Sequence, residues 1–573
     1  MKAFSASEVA QHNKRGDLWV IIDSEVYDLS KFSDLHPGGP TVLLDADIGE
    51  LGLGMYDYVR ANYGQYVAGQ DATEAFFSLH LSEILSLPQY TRLKVGVVQG
   101  HEDRLEQDSI PLNAISKIPY AEPSWLTNLP SPYYKPHHFE FLQAYRSFIR
   151  GVVLPDARAR EEDGKPPSQH VLKEMARLNI PAMRLGRGEH LKGRKLMDGV
   201  ITEDQVDHFI KLIMIQESSH LHSRGYSDGL GGGAVIALPP IIAYASAKLK
   251  DLIVPQVLDG KKSVCLAITE AFAGSDIQGP GPNRKGSGGI RTTAKKVAGG
   301  YRVTGTKKWI TNAMWADWFV TACRVEDARE GDGDIIALII SRGEGITTRP
   351  LKTSYSSGAA GTAFIVFDDV FVPEGNLLRF RDPSGNGKET PVRRGDGLRI
   401  LLGNFNHERW VLAAETVSIQ RAITSQCFKW VSLRHTFGRP LSSQPVVRGK
   451  LANMAARVET GQGWLEQIAY WMDCINNGES NSNSKVKAKA EDLASPISLL
   501  KMHVTRDAQA TAADAAQIFG GRSFTRTGMG RDVEHFHRTL LIDAIGGGAE
   551  DILADLGIRQ ALRRMPKGRE ARL

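Results

Sequence analysis

The stretch that most constrains this chain is Val264 to Ala313, which opens VCLAITEAFAGSD and closes KKWITNA. Val264, Leu266 and Ile268 alternate as an apolar strand, Thr269 and Glu270 lead into the small-residue turn Ala273-Gly274-Ser275-Asp276, and the chain returns through the β-rich YRVTGTKKWIT. A turn without bulky side chains lets backbone N–H groups and the Thr269 and Ser275 hydroxyls approach a phosphate-bearing ligand closely. Trp309 and Thr311 then add an apolar wall and a hydroxyl for a planar ring. Gly-Ser-Asp turns are common and a strand Trp is usually core, so the weight lies on both halves at this spacing, which together read as a flavin shelf.

At this spacing the two halves resemble the signature of the acyl-CoA dehydrogenase family. Arg434-His435-Thr436-Phe437-Gly438-Arg439, with Gln444 after it, resembles the family's Arg-x-x-Phe-Gly segment, in which an arginine reaches a flavin phosphate across a subunit boundary. Gln517-Ile518-Phe519-Gly520-Gly521 resembles its second dinucleotide contact. Taken alone, the first is also an ordinary helix stop and the second an ordinary C-cap. The resemblance implies FAD held by Thr269, Gly274, Ser275, Trp309, Thr311, Arg434, Phe437, Gln444, Gln517, Gly520 and Gly521, in a homodimer or homotetramer acting on an acyl-CoA.

Removing an α-proton beside a thioester needs a carboxylate in a dry site that lifts its pKa, together with oxyanion donors. Many family members carry that glutamate in a Tyr-Glu-Gly-Thr stretch near the C-terminus; reading on from Val533 without gaps puts Gly547 at its place, within Ile545-Gly546-Gly547-Gly548. A minority, the isovaleryl and long-chain enzymes among them, carries it in a Glu-Arg pair on an earlier helix, here Asn406-His407-Glu408-Arg409-Trp410. Glu408 precedes Leu412, Ile419 and Ile423 at helical spacing, so it is expected on the buried face. An adjacent Glu-Arg pair is ordinarily a solvated surface pair. The apolar stripe and the missing alternative glutamate make Glu408 the expected base, with Arg409 assigned to the substrate.

Near the N-terminus, Leu18-Trp19-Val20-Ile21-Ile22 and Val26-Tyr27-Asp28-Leu29 read as buried strands ahead of His36-Pro37-Gly38-Gly39. Proline and two glycines fix a tight turn that holds one imidazole at a defined angle. This pattern resembles the first haem ligand of the cytochrome b5 family, and His80, closing the short helical run after Asp71, is the matching second ligand. Two histidines on one iron suit one-electron transfer, so the resemblance implies haem b as the internal acceptor, with the acceptor beyond it unidentified. His36 and His80 stand further apart in sequence than the family pattern, the surplus being Ile48 to Tyr66. A loop insertion costs modest closure entropy.

The expected order is a small α+β cytochrome b5-like domain over 1–100, a Pro-rich linker over 101–137, and an acyl-CoA dehydrogenase fold. That fold comprises a helical domain over 138–256, a middle β domain over 257–380 and a C-terminal helical bundle over 381–565, followed by a basic tail over 566–573. Helices are expected at Phe139 to Val152, Ser168 to Leu178, Glu203 to His220 and Leu238 to Asp251.

A net charge of +5 over 573 residues, without long like-charge runs, disfavours nucleic acid. No apolar run is long enough to span a bilayer. Cys265, Cys323, Cys427 and Cys474 show no metal spacing, and MKAFSASEVA lacks a signal-peptide core, so a reducing intracellular compartment is expected. Ala571-Arg572-Leu573 looks like a variant peroxisomal address; cytoplasm or mitochondrion is the alternative.

The leading expectation is therefore dehydrogenation of an acyl-CoA to a trans-2-enoyl-CoA with electrons passing to the fused haem. The alternatives are a flavin oxidase of acyl-CoA or nitroalkane type, and a non-catalytic flavin- and haem-binding scaffold.

Overall fold

The structure is a computed structural model, and it describes residues 2–36, 40, 43–44, 67–80, 84–85, 88–100, 111–127, 129–279, 289–326, 334–354, 358–381, 393, 395–478 and 488–565. The Pro37-Gly38-Gly39 turn, the Ile48 to Tyr66 insertion and the C-terminal tripeptide lie outside the described residues. The chain forms two compact units: Met1–Ala114 with Gln426–Gly449 and Ala515–Glu534, and Ile115–Ser425 with Lys450–Asp514 and His535–Leu573.

The first unit holds a five-stranded sheet of β1 (Lys2–Phe4), β2 (Asn13–Lys14), β3 (Asp17–Ile22), β4 (Glu25–Asp28) and β5 (Lys94–Val98), in the order β1-β5-β4-β3-β2. Leu18, Val20 and Val26 are buried as the apolar runs require. Helix Thr73–Leu79 ends at His80, which leaves the helix in an extended conformation. In the same unit His435–Thr436 and Arg439–Pro440 pair as a hairpin. Phe437 and Gly438 at its tip both have positive φ, 53° and 73°, as a tight hairpin turn demands.

The second unit is built around a seven-stranded sheet of β6 (Val264–Ala267), β7 (Thr293–Val297), β8 (Gly300–Ile310), β9 (Trp318–Val325), β10 (Ile335–Ser341), β11 (Ile346–Pro350) and β12 (Ala363–Pro373). Its order is β10-β9-β7-β8-β12-β11, with β6 parallel to β9. β9 is buried along its whole length. Helices cover one face, where Ile241, Ile253 and Val257 join Val320, Ala337 and Ile339 in one core. A separate helical core joins Phe209 and Leu212 to Trp410, Val417, Leu465, Ile468, Leu500 and Val504.

Two helix expectations need amending. The run taken as one helix from Leu238 to Asp251 is two, Gly232–Tyr244 and Ala247–Leu258. Ser246 breaks it by accepting a hydrogen bond from the Leu249 N–H and starting the second as an N-cap. The run from Glu203 starts with a 3-10 turn, Glu203–Gln205, and the helix itself, His208–Ser219, is capped by Asp207, which accepts from the Ile210 N–H. No described helix is long and apolar enough to cross a membrane.

Candidate active site

The two halves of the shelf meet through the backbone: the Lys308 N–H donates to the Thr269 carbonyl at 2.9 Å. Beneath this contact Lys307, fully buried, donates to the Ile268 carbonyl at 2.9 Å and to Glu270 Oε1 at 2.8 Å. Glu270 also receives the N–H groups of Arg291 and Thr292 and the Thr292 hydroxyl. Burial acts to raise the Glu270 carboxyl, but the Lys307 charge and these donors outweigh it and hold it below the ordinary range. The turn is locked as well, because Asp276 accepts the Gly274 N–H at 2.9 Å. Ser275 is exposed, and a side chain added at Gly274 would meet nothing within 4 Å, so the turn opens onto free space.

Trp309 is 51% exposed and adopts a left-handed φ of 59°, a strained state for an aromatic residue. Asn312 anchors the strand end: its Nδ2 donates to the carbonyls of Asp228 and Ala360, and its Oδ1 accepts the Gly233 N–H at 2.7 Å. This residue has no sequence signal beyond its place in the Trp-Ile-Thr-Asn stretch. An exposed, strained Trp beside an open small-residue turn fits the flavin that this stretch predicts.

Glu408 lies in helix Phe405–Leu433 and is half-buried; its carboxylate makes no hydrogen bond to a described residue. Burial pushes this carboxyl up to about 7, against the pull of Arg409 and Lys501. The reason for its orientation differs from the expected one. The fully buried stripe of the helix is Trp410, Ala413, Ala414 and Val417, whereas Glu408, Leu412, Glu415 and Ile419 form a second, half-buried stripe. The helix is surrounded on most sides, so apolar spacing alone does not mark the face that fronts a cavity. His407 is no competing base, since it meets Lys211 Nζ at 2.5 Å and burial drives its pKa well below the usual value.

Arg409 points at protein groups. Its Nε donates to the Gly547 carbonyl at 2.8 Å and its Nη1 to Asn406 Oδ1 at 3.3 Å, which makes it an anchor for the loop after helix Leu541–Ile545. Lys501, fully buried, donates to the next carbonyl, Gly548, at 3.0 Å. Gly547 and Gly548 have φ of 64° and 116°, and a Cβ on Gly547 would come within 2.9 Å of Leu412 Cδ1. A side chain at Gly547, where the ungapped reading sets the family's glutamate, would have to adopt this left-handed φ and displace the Leu412 methyl. The N–H groups of Gly547 and Gly548 have no partner among the described residues.

The remaining expected contacts lie in the first unit. Phe437 is 97% exposed at its hairpin tip. Phe519, which precedes Gly520 and Gly521, stacks on Trp430 at 5.4 Å between ring centres, so Gln517 to Gly521 end a well-packed helix. Gln444 closes a 3-10 turn, its N–H donating to the Leu441 carbonyl at 3.1 Å.

In that unit the ring centres of His36 and His80 are 5.9 Å apart. Two imidazoles on one iron, each nitrogen ~2 Å from the metal and ~1 Å from its ring centre, give roughly 6 Å. His80 Nδ1 lies 3.2 Å from the Phe76 carbonyl, and burial lowers its pKa. Such a neutral ring keeps Nδ1–H on the carbonyl and leaves the Nε2 lone pair for a metal. The two histidines fit a haem iron.

Residues 395–562 match the family described as acyl-CoA dehydrogenase, C-terminal domain, residues 265–370 its middle domain, and residues 5–47 the cytochrome b5-like heme/steroid binding domain. The last match includes His36 and stops short of His80. Over 463 residues the chain is 34% identical to acyl-CoA dehydrogenase apdG of Emericella nidulans, covering 78% of this chain and 96% of that protein. It is 29% identical over 448 residues to acyl-CoA dehydrogenase AFT10-1 of Alternaria alternata, with coverages of 78% and 96%. Among solved structures it is similar to a putative acyl-CoA dehydrogenase from Mycobacterium smegmatis, with a TM-score of 0.61 at 25% identity over 76% of this chain and all of that one, 100%.

Proposed function

This chain belongs to the acyl-CoA dehydrogenase family and carries an N-terminal cytochrome b5-like domain, and from that premise we propose that it is an FAD-dependent dehydrogenase that converts an acyl-CoA thioester to the trans-2-enoyl-CoA with Glu408 as the base. The observation that carries this reading is the state of Glu408: half-buried, without a hydrogen-bond partner among the described residues, and with its carboxyl raised to about 7. A base near neutrality in a dry site is what α-proton removal requires.

Glu408 takes the α-proton on its carboxylate. The unclaimed Gly548 N–H, in the peptide plane whose Gly547 carbonyl Arg409 holds, receives the thioester oxygen as it gains charge. The ion pair of Lys307 and Glu270, at 2.8 Å, keeps the shelf rigid. FAD held at the shelf by the turn Ala273–Asp276 and Trp309 would supply the acceptor for the β-hydrogen, and haem b held by His36 and His80 would supply a one-electron acceptor. The nearly bare Phe437, on a hairpin that also carries Arg439 at its base, supports a homo-oligomer in which this tip reaches the flavin of a second copy. The paired histidines favour the dehydrogenase over the oxidase reading, because direct transfer to oxygen has no use for a one-electron acceptor.

The test is an anaerobic titration of the flavin-loaded protein with acyl-CoAs. Wild-type protein should bleach at the flavin band and Glu408→Gln should not. Full bleaching in Glu408→Gln would remove this residue as the base.

A further inference from the structure

Further along helix Phe405–Leu433 from Glu408 stands a guanidinium that the chemistry above does not use. Arg421 keeps only 3% of its surface. Its bonds to described residues run through one nitrogen: Nη1 donates to Glu459 Oε1 at 2.7 Å and to the Glu122 and Tyr120 carbonyls at 3.1 and 3.3 Å. Nε and Nη2 are buried and have no partner among the described residues. A buried donor left without an acceptor is destabilising, and more so when it carries charge.

Arg421 lines a small cavity of about 10 Å³. The other polar walls offer acceptors. Glu122 and Glu217 both line it, and both hold Arg146, whose nitrogens reach Glu122 at 2.9 and 2.8 Å and Glu217 at 2.8 and 2.7 Å. A carboxylate has lone pairs beyond those bonds. Ser418 donates its hydroxyl proton to the Ala414 carbonyl at 2.6 Å, so toward the cavity it too can only accept.

Size and charge together select the occupant. About 10 Å³ is room for a single water. A cation would face the unpaired nitrogens of Arg421, and an anion would face two carboxylates. An apolar group would return no hydrogen bond to any of them. A water accepts from Arg421 and donates to a wall oxygen, which gives it the polar partners a buried water needs.

What Arg421 holds makes this more than a filled gap. Tyr120 has a left-handed φ of 59°, a state a residue other than glycine keeps where its surroundings fix it. Its carbonyl is one that Arg421 Nη1 receives. The Ser116 N–H donates to Glu122 Oε1 at 2.9 Å, so the same carboxylate also ties down the chain ahead of it. We propose that the cavity is a binding site for one ordered water, held by Arg421 Nε or Nη2 and by a carboxylate oxygen of Glu122 or Glu217. This water completes the clamp by which Arg421 fastens residues 115–127 to the helix that carries Glu408.

The experiment is a high-resolution crystal structure of the holoenzyme, grown with bromide in place of chloride, together with hydrogen exchange of residues 115–127 on the full chain. The expected result is one peak within about 3.2 Å of Arg421 Nε or Nη2, without anomalous signal at the bromine edge. An anomalous peak there would make the site one for a halide and overturn the proposal, and so would a cavity without a peak. Arg421→Lys keeps a cation for Glu459 but withdraws the two unpaired nitrogens. In that variant the peak should vanish and the amides of 115–127 should exchange about tenfold faster. A peak that survives Arg421→Lys, or exchange that does not change, overturns the role given to Arg421. Should Arg421→Lys not fold, the wild-type density alone decides the proposal.

Discussion

Arg409 Nε and the Gly547 carbonyl are joined by a 2.8 Å hydrogen bond, so the residue next to the proposed base holds the loop after helix Leu541–Ile545. With Lys501 on Gly548, two cations fix consecutive carbonyls and aim the Gly548 N–H between them. Arg409→Ala should lower kcat/KM about 10²-fold, the scale of a displaced oxyanion donor, with a smaller change in KM. Steady-state kinetics on the flavin-loaded protein checks this.

Returning a glutamate to the loop should not relocate the base. At Gly547 a side chain faces both a φ of 64° and Leu412 Cδ1 at 2.9 Å, and each opposes it. The double variant Glu408→Gln, Gly547→Glu should stay as inactive as Glu408→Gln and melt earlier than wild type. Recovery of turnover in the double variant would mean that the loop opens more readily than this packing implies.

The raised Glu408 carboxyl sets two pH dependences of opposite sense. Activity needs the carboxylate, so kcat/KM should rise about tenfold per pH unit below about 7 and level off above it. Stability runs the other way. The folded state binds the proton more tightly than the unfolded chain, so the contribution is fully present below the ordinary carboxyl pKa of 4.5 and is lost as pH climbs through about 7. Glu408→Gln, which removes the buried charge, should raise Tm relative to wild type at pH 8 and not at pH 4. Thermal melts at the two pH values decide it.

Much of this was open to reading in one dimension. The shelf, the Glu408-Arg409 pair and both histidines are local patterns whose chemistry needs few residues at short spacing. The groups that tune them are not local. Arg224 and Asp543 are 319 positions apart, and no periodicity links them. Likewise the stretch over 101–137 reads as a tether by composition. Yet Arg146 donates to both carboxylate oxygens of Glu122, at 2.9 and 2.8 Å, and also to Glu217, and Trp125 stacks on Tyr134 at 4.1 Å. Its second half is thereby built into the second unit. The apolar stripe set Glu408 on a fully buried face, whereas it stands on a half-buried one, because a helix enclosed on several sides hides the order of its faces from hydropathy.

His36 and His80 should hold iron only as a pair. Replacing His80 with Ala removes one axial ligand and the ring that Phe76 orients, so the purified protein should lose the sharp bis-histidine haem spectrum. The flavin band and its anaerobic bleaching by acyl-CoA should remain. A visible spectrum of His80→Ala and His36→Ala, recorded before and after substrate, separates the two cofactors; retention of the wild-type haem spectrum in either variant would remove that histidine as a ligand.

The Lys307 to Glu270 contact gives the sharpest structural test of the shelf. Lys307 has no exposed surface, and its ammonium neutralises a carboxylate that three other donors already hold in place. Lys307→Met keeps the length of the side chain but leaves Glu270 charged and without a counter-ion, and breaking one partner of such a buried pair costs about 3–5 kcal/mol. The double variant Lys307→Met, Glu270→Gln removes the stranded charge and should recover most of that loss. Because the pair also ties the Thr269 turn to the strand that carries Trp309, the single variant should release flavin more readily during gel filtration, and the double variant should retain more of it. Denaturant melts and flavin-to-protein ratios measured on both variants would expose a merely peripheral role, since equal values for wild type and Lys307→Met leave the staple with no part in holding the site.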